Sequence, residues 1–414
     1  MTDGEGSDPA ATPAESEEGW TIVTVADTLL EAEVAADFLE AADMAVAVES
    51  VGDRSNDVLV HEEDLERARE LIRSLREGEG EAPLRYRARI QAAKKVYEGR
   101  AILHAGGEEE EALARFVDAV ALDPRCASAH AGIAGIHYRL RRNPEAYEEL
   151  QKAVAIDDHD RNAWILLAKV CLNLERPGEA REVYRKVLEI YPDDVRAHRG
   201  LGMAFSWEWR VGEALAAFEE ALDIDPDDVD SIVQAGIAKY RLGDVEAAIG
   251  MAARVLEIDS ENVPALMLLG RAKWRAGRFA DSERALVDAV KLGRGNPEPV
   301  CYLANTHIDQ GRFDDAKKLL DPVIAKSPNH AFSKLTLARL HDAEKSPLRD
   351  PAAAEQLFRE AVRISPRNAE YHRMLADFLE KAGKREEARA EAEEAVRIAP
   401  EIPLFQETLA RLRG

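Results

Sequence analysis

The chain has 414 residues, 46% hydrophobic but only 6% aromatic, with 32% charged and a formal net charge of −24. That length exceeds one simple core and points to several domains or a repeat array. The acidic balance argues against a general nucleic-acid binder, which needs a basic footprint, and no apolar run approaches the roughly 20 residues that cross a bilayer.

The acidity is lopsided: residues 1–80 hold 22 Asp/Glu against 5 Lys/Arg, and the other 334 hold 57 against 50. Residues 1–18, MTDGEGSDPAATPAESEE, have no aromatic ring and no apolar leader-like core, so a disordered acidic tail on a cytoplasmic protein is expected. Cys126, Cys171 and Cys301 are scattered without a C-x-x-C pair. Reduced thiols fit that pattern; a disulfide frame or a zinc site does not.

Residues 19–77 alternate element types. WTIVTV (20–25) is β-rich, LLEAEVAADFLEAAD (29–43) has helical apolar spacing, and MAVAVES (44–50) alternates as a strand. DVLVHE (57–62) is a third strand and EEDLERARELIRSL (62–75) a second amphipathic helix. The order β-α-β-β-α predicts an α+β sandwich with its helices on one sheet face. The segment resembles the small GlnB-like putative prokaryotic signal-transducing domains, through W-x-x-V at Trp20, L-x-E-A-E-x-x-x-x-x-L-E from Leu29, and V-L-V-x-x-x-D-x-x-x-A-x-x-L from Val58. The resemblance implies a ferredoxin-like fold in a bacterial signalling protein. The loop SVGDRSN (50–56) is short, however, so nucleotide binding by the long loop of larger GlnB proteins is not carried over. A small dimerising or docking domain is the other reading.

REGEGEAPL (76–84) is a polar linker, with residues 78–92 forming linker and lead-in helix, and the remainder is helical. Alanine recurs at 112, 146, 180, 214, 248 and 316, with serine at 282 in the same phase. A period of 34 residues with two helical stretches per unit predicts stacked helical hairpins. The units resemble tetratricopeptide repeats: Leu201, Gly202, Phe205, Ala214, Phe218, Ala221 and Pro226 carry the pattern in one unit, and Trp164, Leu167, Ala168, Ala180, Tyr184 and Pro192 in the preceding one. The resemblance implies a mostly α fold, a right-handed superhelix of about nine repeats over 93–402. The eighth is lengthened by EKSPLRDP (344–351), and PLFQETLARLRG (403–414) caps the array. Small residues are needed where paired helices approach most closely, and proline stops each second helix.

No metalloprotease, phosphate-loop, nucleophile-elbow or dinucleotide motif occurs, so no catalytic residue, metal site or cofactor is expected. His137, His307 and His341 share the eleventh position of a unit, and His130, His198 and His372 the fourth; packing roles are expected for all. The tetratricopeptide resemblance implies a groove lined by positions 2, 5, 9, 12 and 13 of each unit. In the first six units these include Lys94, Arg139, Lys169, Arg196, Arg199, Arg241, Arg271 and Arg275 with Asp230 as the one acid, interleaved with Tyr97, Tyr138, Trp207, Tyr240 and Trp274. In the last three units the balance reverses, with Arg339, Arg373 and Lys381 against Glu298, Asp309, Asp342, Glu370, Asp377 and Glu380. Arginine pairs bidentately with carboxylates and stacks on rings, so the expectation is a non-enzymatic adaptor whose groove binds an acidic partner peptide.

The alternative is a sensor in which the N-terminal domain binds a ligand or dimerises and gates the groove. The acidic N-terminal region is also a candidate occupant of the groove. No unit carries the Lys/Asn pair at positions 5 and 9 that clamps C-terminal carboxylates in the resembled family. Within FSWEWR (205–210), Phe205 is assigned to the core and Trp207 to the groove. Trp209 falls in the turn position where other units have Gly107, Gly277, Gly311 and Gly383, as a cap or an exposed contact.

Overall fold

The computed structural model describes residues 20–26, 32, 35, 36, 39, 46–51, 55–61, 64–77 and 84–414. The acidic tail, its suggested place in the groove, most of the helix expected at 29–43, and parts of SVGDRSN and the linker lie outside the described residues. The chain forms two compact units, Met1–Leu174 and Glu175–Gly414.

In the first unit, strands β1 (Trp20–Ala26), β2 (Val46–Val51) and β3 (Ser55–His61) form a sheet of order β1-β3-β2. The third strand lies antiparallel to both others, the arrangement of a split β-α-β unit. Ala32, Ala35 and Leu39 are helical and buried with Val58 and Val60 of β3 and with Ala68 and Ile72 of helix α1 (Leu65–Glu77). Ile90 of the long helix α2 (Leu84–His104) packs on this core, so the first repeat helix also covers the sheet domain.

From α2 onward the helices follow in pairs at the predicted period. The first unit holds α3 (Glu109–Leu122), α4 (Ala127–Arg139), α5 (Asn143–Ile156) and α6 (Arg161–Asn173). The second begins with α7 (Pro177–Ile190), α8 (Val195–Trp207), α9 (Val211–Ile224), α10 (Val229–Leu242), α11 (Val245–Ile258), α12 (Val263–Arg275) and α13 (Phe279–Leu292). It continues with α14 (Pro297–Asp309), α15 (Phe313–Lys326), α16 (Ala331–Asp342), α17 (Pro351–Ile364), α18 (Ala369–Lys381), α19 (Arg385–Ile398) and α20 (Pro403–Arg413).

Local chemistry sets these boundaries. The residue before most first helices is a capping side chain, as at Asp160, Asp194, Asp228 and Asn262, whose oxygens accept the N–H groups of Ala163, Ala197, Ser231 and Ala265. His330 does the same work through Nδ1, accepting from Ser333 N–H at 3.3 Å; burial pushes its pKa down, which suits a ring nitrogen that must stay unprotonated. The periodic alanines are fully buried. Ser282, which replaces one of them, donates its hydroxyl to Gly270 O at 2.8 Å and so leaves no orphan polar group. A Cβ on Gly202 would stand 2.5 Å from Phe218 Cε1, so only glycine admits this helix contact. In the eighth repeat α16 and α17 are separated by the longer turn, fastened where His341 Nδ1 donates to Leu348 O at 2.7 Å.

There is no single core. Apolar clusters such as Phe205, Ala214, Phe218 and Ala235, or Ala248, Ala252, Leu268 and Ala272, pass from one hairpin to the next, as a quasi-one-dimensional array requires.

Candidate functional site

The short turn between paired helices holds one residue with positive φ, which the lengthened turn of the eighth repeat does without. Gly243, Gly277, Gly311 and Gly383 supply it in four turns, whereas Arg141, Glu175 and Trp209 adopt it as non-glycine residues, with φ of 59°, 58° and 59°. In the first turn the residue is Gly106, one place before the expected Gly107.

Trp209 has a reason to be there. Its ring lies 6.3 Å from that of Phe405 on α20, and the two belong to one apolar cluster with Val211, Ala238, Ala399 and Ile402. Beside it, Gly212 N–H donates to Glu401 Oε2 at 2.8 Å across 189 positions of sequence. The far end of α20 caps the last hairpin as expected, with Leu409 and Leu412 in the cluster of Leu375, Leu379 and Ala388. Its beginning does more: it meets the fourth repeat and closes residues 195–414 on themselves. Trp209 is therefore neither a simple turn cap nor a free contact but half of a latch.

Inside this closure lies a cavity of about 850 Å³, a size that suits a small ligand or a short stretch of peptide. Trp207, Tyr240, Arg241, Arg271, Trp274 and Arg275 line it, as do Tyr302, Asn305, Arg339, Tyr371, Arg373 and Phe405. Trp207 is 52% exposed. Trp274 Nε1 donates to Asp309 Oδ2 at 2.6 Å, and Arg275 donates to Tyr240 O at 3.1 Å while lying 5.3 Å over that ring. Burial pushes the Tyr302 phenol up to about 12, so it stays protonated at any physiological pH.

Two expected site residues of this unit lie elsewhere. Arg199 binds both oxygens of Asp228, at 2.6 and 2.8 Å, and Arg196 lies 3.5 Å from Asp194. Both carboxylates cap helices, so Arg199 in particular tightens the joint between repeats. Neither arginine lines the cavity. In the first unit Tyr97 is 59% exposed, Tyr138 half-buried, Lys169 exposed, and Arg139 exposed and paired with Glu109 at 3.1 Å.

Among the described residues the acids expected in the last three repeats have local partners except Glu298, which lines the cavity without an ion pair. Arg373 pairs with Glu370 and Asp377, Arg339 with Asp309 at 2.9 Å and Asn305 at 2.7 Å, and Lys381 with Asp342 at 3.1 Å. Tyr302, Tyr371 and Phe405 fall outside positions 2, 5, 9, 12 and 13, so the positional rule overlooked them; their aromaticity in an aromatic-poor chain was the available signal.

The histidines hold packing contacts. His130, His198 and His372 each direct Nε2 to the carbonyl of the proline six residues earlier, at 3.1, 2.7 and 3.0 Å. His130 and His372 also meet Glu149 and Glu391 through Nδ1, both at 2.6 Å. His307 meets Glu283 at 3.1 Å, apart from the His341 contact already described. Burial pushes the Cys301 thiol up to about 11, which makes it an inert core thiol.

Fold and cavity together define a class, the helical-hairpin solenoids, whose members generally serve as protein-interaction scaffolds. The tetratricopeptide-repeat pattern matches residues 103–170, 141–204, 210–272, 274–340 and 348–412, and the chain belongs to that family. All matched residues lie from 103 onward, so the GlnB-like resemblance of residues 19–77 rests on its sequence alone. Among solved structures, the chain is similar to YrrB, a TPR protein with an unusual peptide-binding site, at 24% identity over 42% of this chain and 88% of that one, with a TM-score of 0.37. It is similar to PilW, a type IV pilus biogenesis factor, at 20% over 51% and 98%, with a TM-score of 0.46. A tetratricopeptide repeat protein from Parabacteroides merdae is 14% identical over 61% and 99%, with a TM-score of 0.46. These likenesses concern the hairpin fold alone. No curated protein matches the chain, and no helix of the described residues is long and apolar enough to cross a membrane.

Proposed function

We propose that the protein is a non-enzymatic adaptor of the bacterial cytoplasm whose repeats bind an acidic segment of a partner protein. The observation that carries this reading is the lining of the second unit, where Arg241 and Arg271 face the cavity without a carboxylate partner among the described residues, beside Trp207, Tyr240 and Trp274. Unpaired guanidinium groups on aromatic faces suit carboxylates, which they can bind bidentately. Tyr97, Tyr138, Arg139 and Lys169 offer a second, more open contact surface in the first unit. Three buried free thiols fit a reducing compartment.

The test is fluorescence polarisation of an acidic peptide library on the full chain. Binding that weakens with salt and falls at least about tenfold in Arg241→Glu/Arg271→Glu supports the reading, and equal binding by that variant overturns it. Arg199 is unsuitable for this control, because reversing its charge would disturb the Asp228 cap.

The sensor reading has its support in the split β-α-β sheet of residues 20–61. A GlnB-like domain there would gate the repeats by binding a ligand or by dimerising. A melting shift of the full chain under a metabolite screen, abolished by disrupting that sheet, would favour it.

A further inference from the structure

Two cations in the cavity are left without counter-ions. The Arg241 guanidinium stacks on Trp209 at 4.9 Å, and Arg271 lies over both Tyr240 at 4.9 Å and Tyr302 at 4.7 Å. Among the described residues neither has a carboxylate within ion-pair distance, and Arg271 Nε is buried without a hydrogen-bond partner. The other cations of the lining are engaged: Arg339, Arg373 and Lys381 with acids, and Arg275 with a backbone carbonyl. Glu298 and Glu370 act on Arg271 only through space, and Glu370 is already bound to Arg373.

Holding two like charges in one concavity is unfavourable. Desolvation, and after it the neighbouring Arg271 charge, bring Arg241 down to about 10. The stacked rings hold both forks in place by cation–π attraction, so little ordering is left for a ligand to impose. The latch of Trp209 on Phe405 and Glu401 on Gly212 N–H shuts one side, so an occupant, whether a small molecule or an acidic side chain, reaches the two arginines from the open side.

We propose that the cavity is a binding site for a small dianion, a molecule carrying a phosphate monoester or two adjoining carboxylates, seated between Arg241 and Arg271 with Tyr240, Tyr302 and Trp209 around it. The site goes beyond the adaptor reading, since it needs no protein partner. Because Arg241 rests on the same Trp209 that packs against Phe405, occupancy of the site tightens the latch.

The full chain is titrated with phenyl phosphate, with succinate, whose carboxylates sit on adjoining carbons, and, as monoanion control, with acetate at matched ionic strength, reading thermal shift and tryptophan emission. One dianion is expected to give a saturable rise in Tm, at least about tenfold tighter than acetate and lost in Arg241→Met and Arg271→Met. Which of the two binds tells phosphate from dicarboxylate. Arg271→Lys, which keeps charge but not the fork, is expected to bind at least about tenfold more weakly, and it serves if the methionine variants fail to fold. No saturable shift with either dianion at about 10 mM, or an equal shift in the substituted chains, overturns the proposal. Acidic-peptide binding without any dianion shift would sink this site and leave the adaptor reading standing; a dianion shift without peptide binding would do the reverse.

Discussion

In the hairpins of residues 84–174 the side chains at the inner positions stand in the open, as Tyr97 does, or pair singly with a neighbour, as Arg139 does with Glu109. In residues 195–414 the equivalent side chains, Tyr240, Arg241, Arg271 and Trp274, line one half-open cavity. The repeat grammar is the same in both. The difference comes from α20, whose first turn carries Ile402 and Phe405 to Trp209 and Val211. Closure turns a row of surface residues into a cavity, and it raises the electrostatic stakes of every charge inside it.

That comparison can be broken at several points. Phe405→Ala and Phe116→Ala each remove a buried ring, 2% and 1% exposed, at an expected cost of about 3–5 kcal/mol. Hydrogen exchange should show Phe405→Ala loosening residues 209–215 and 399–405 together, with Phe116→Ala confined to the first hairpins. If Phe405→Ala leaves 209–215 as protected as before, the latch is not a stabilising contact.

A smaller difference is expected between two helix caps. Asp160→Ala removes a cap alone and should lower stability by about 1 kcal/mol in denaturant melts. Asp228→Ala removes a cap and also the close partner of Arg199, which keeps only the more distant Asp230 at 3.5 Å, so about 2 kcal/mol is expected. Equal effects would mean that the Arg199 pair contributes nothing. The carboxyl of Asp228 is held below the usual range, against the opposing pull of burial, by Ser231 and Arg199. Its contribution is therefore present above the unfolded pKa and fades as pH falls through the folded one.

The left-handed turn residues sharpen the contrast in sign. Arg141→Gly relieves a strained φ at an exposed turn and should stabilise by up to about 1 kcal/mol. Trp209→Gly relieves the same strain but forfeits Phe405 and Arg241, so a net loss is expected. Thermal melts of the two variants shifting in the same direction would contradict the latch.

The smallest effect is pH-dependent. Burial alone would lower the pKa of His372, yet the Glu391 carboxylate and the Pro366 carbonyl raise it overall. A raised folded-state pKa means that its stabilisation is complete below the unfolded value of about 6.5 and is lost as pH rises through the folded one. His372→Gln removes a stabilisation that grows as pH falls, so it should steepen the fall of Tm between neutral and acidic buffers by an amount under about 1 kcal/mol. An unchanged slope would assign the pH dependence to other groups.

Much of the fold was legible because its rules are local. Spacing by 34 places the alanines, the Asp or Asn caps and the turn residues, and helices begin at Ala127, Arg161, Val195, Val229 and Val263 on that ruler. The site was legible only in part. Trp207, Tyr240, Arg241, Arg271, Trp274 and Arg275 were legible as a group because they occupy the same face of three successive first helices, α8, α10 and α12. Arg196 and Arg199 were grouped with them by the same rule, yet they lie against carboxylates that cap helices, Asp194 at the start of their own helix and Asp228 at the start of α10. Position within a helix gives direction, but which acids lie opposite is settled between helices.

The sequence by itself determined the hairpin array, since helical periodicity, capping and close approach act over fewer than about four turns. It also determined that the array would present arginines and rings on one face. Only the tertiary structure decided that this face closes. The contacts responsible join Trp209 to Phe405, and Gly212 to Glu401 across 189 positions. Small rotations accumulated over successive repeats bring them together, and no local pattern encodes their sum.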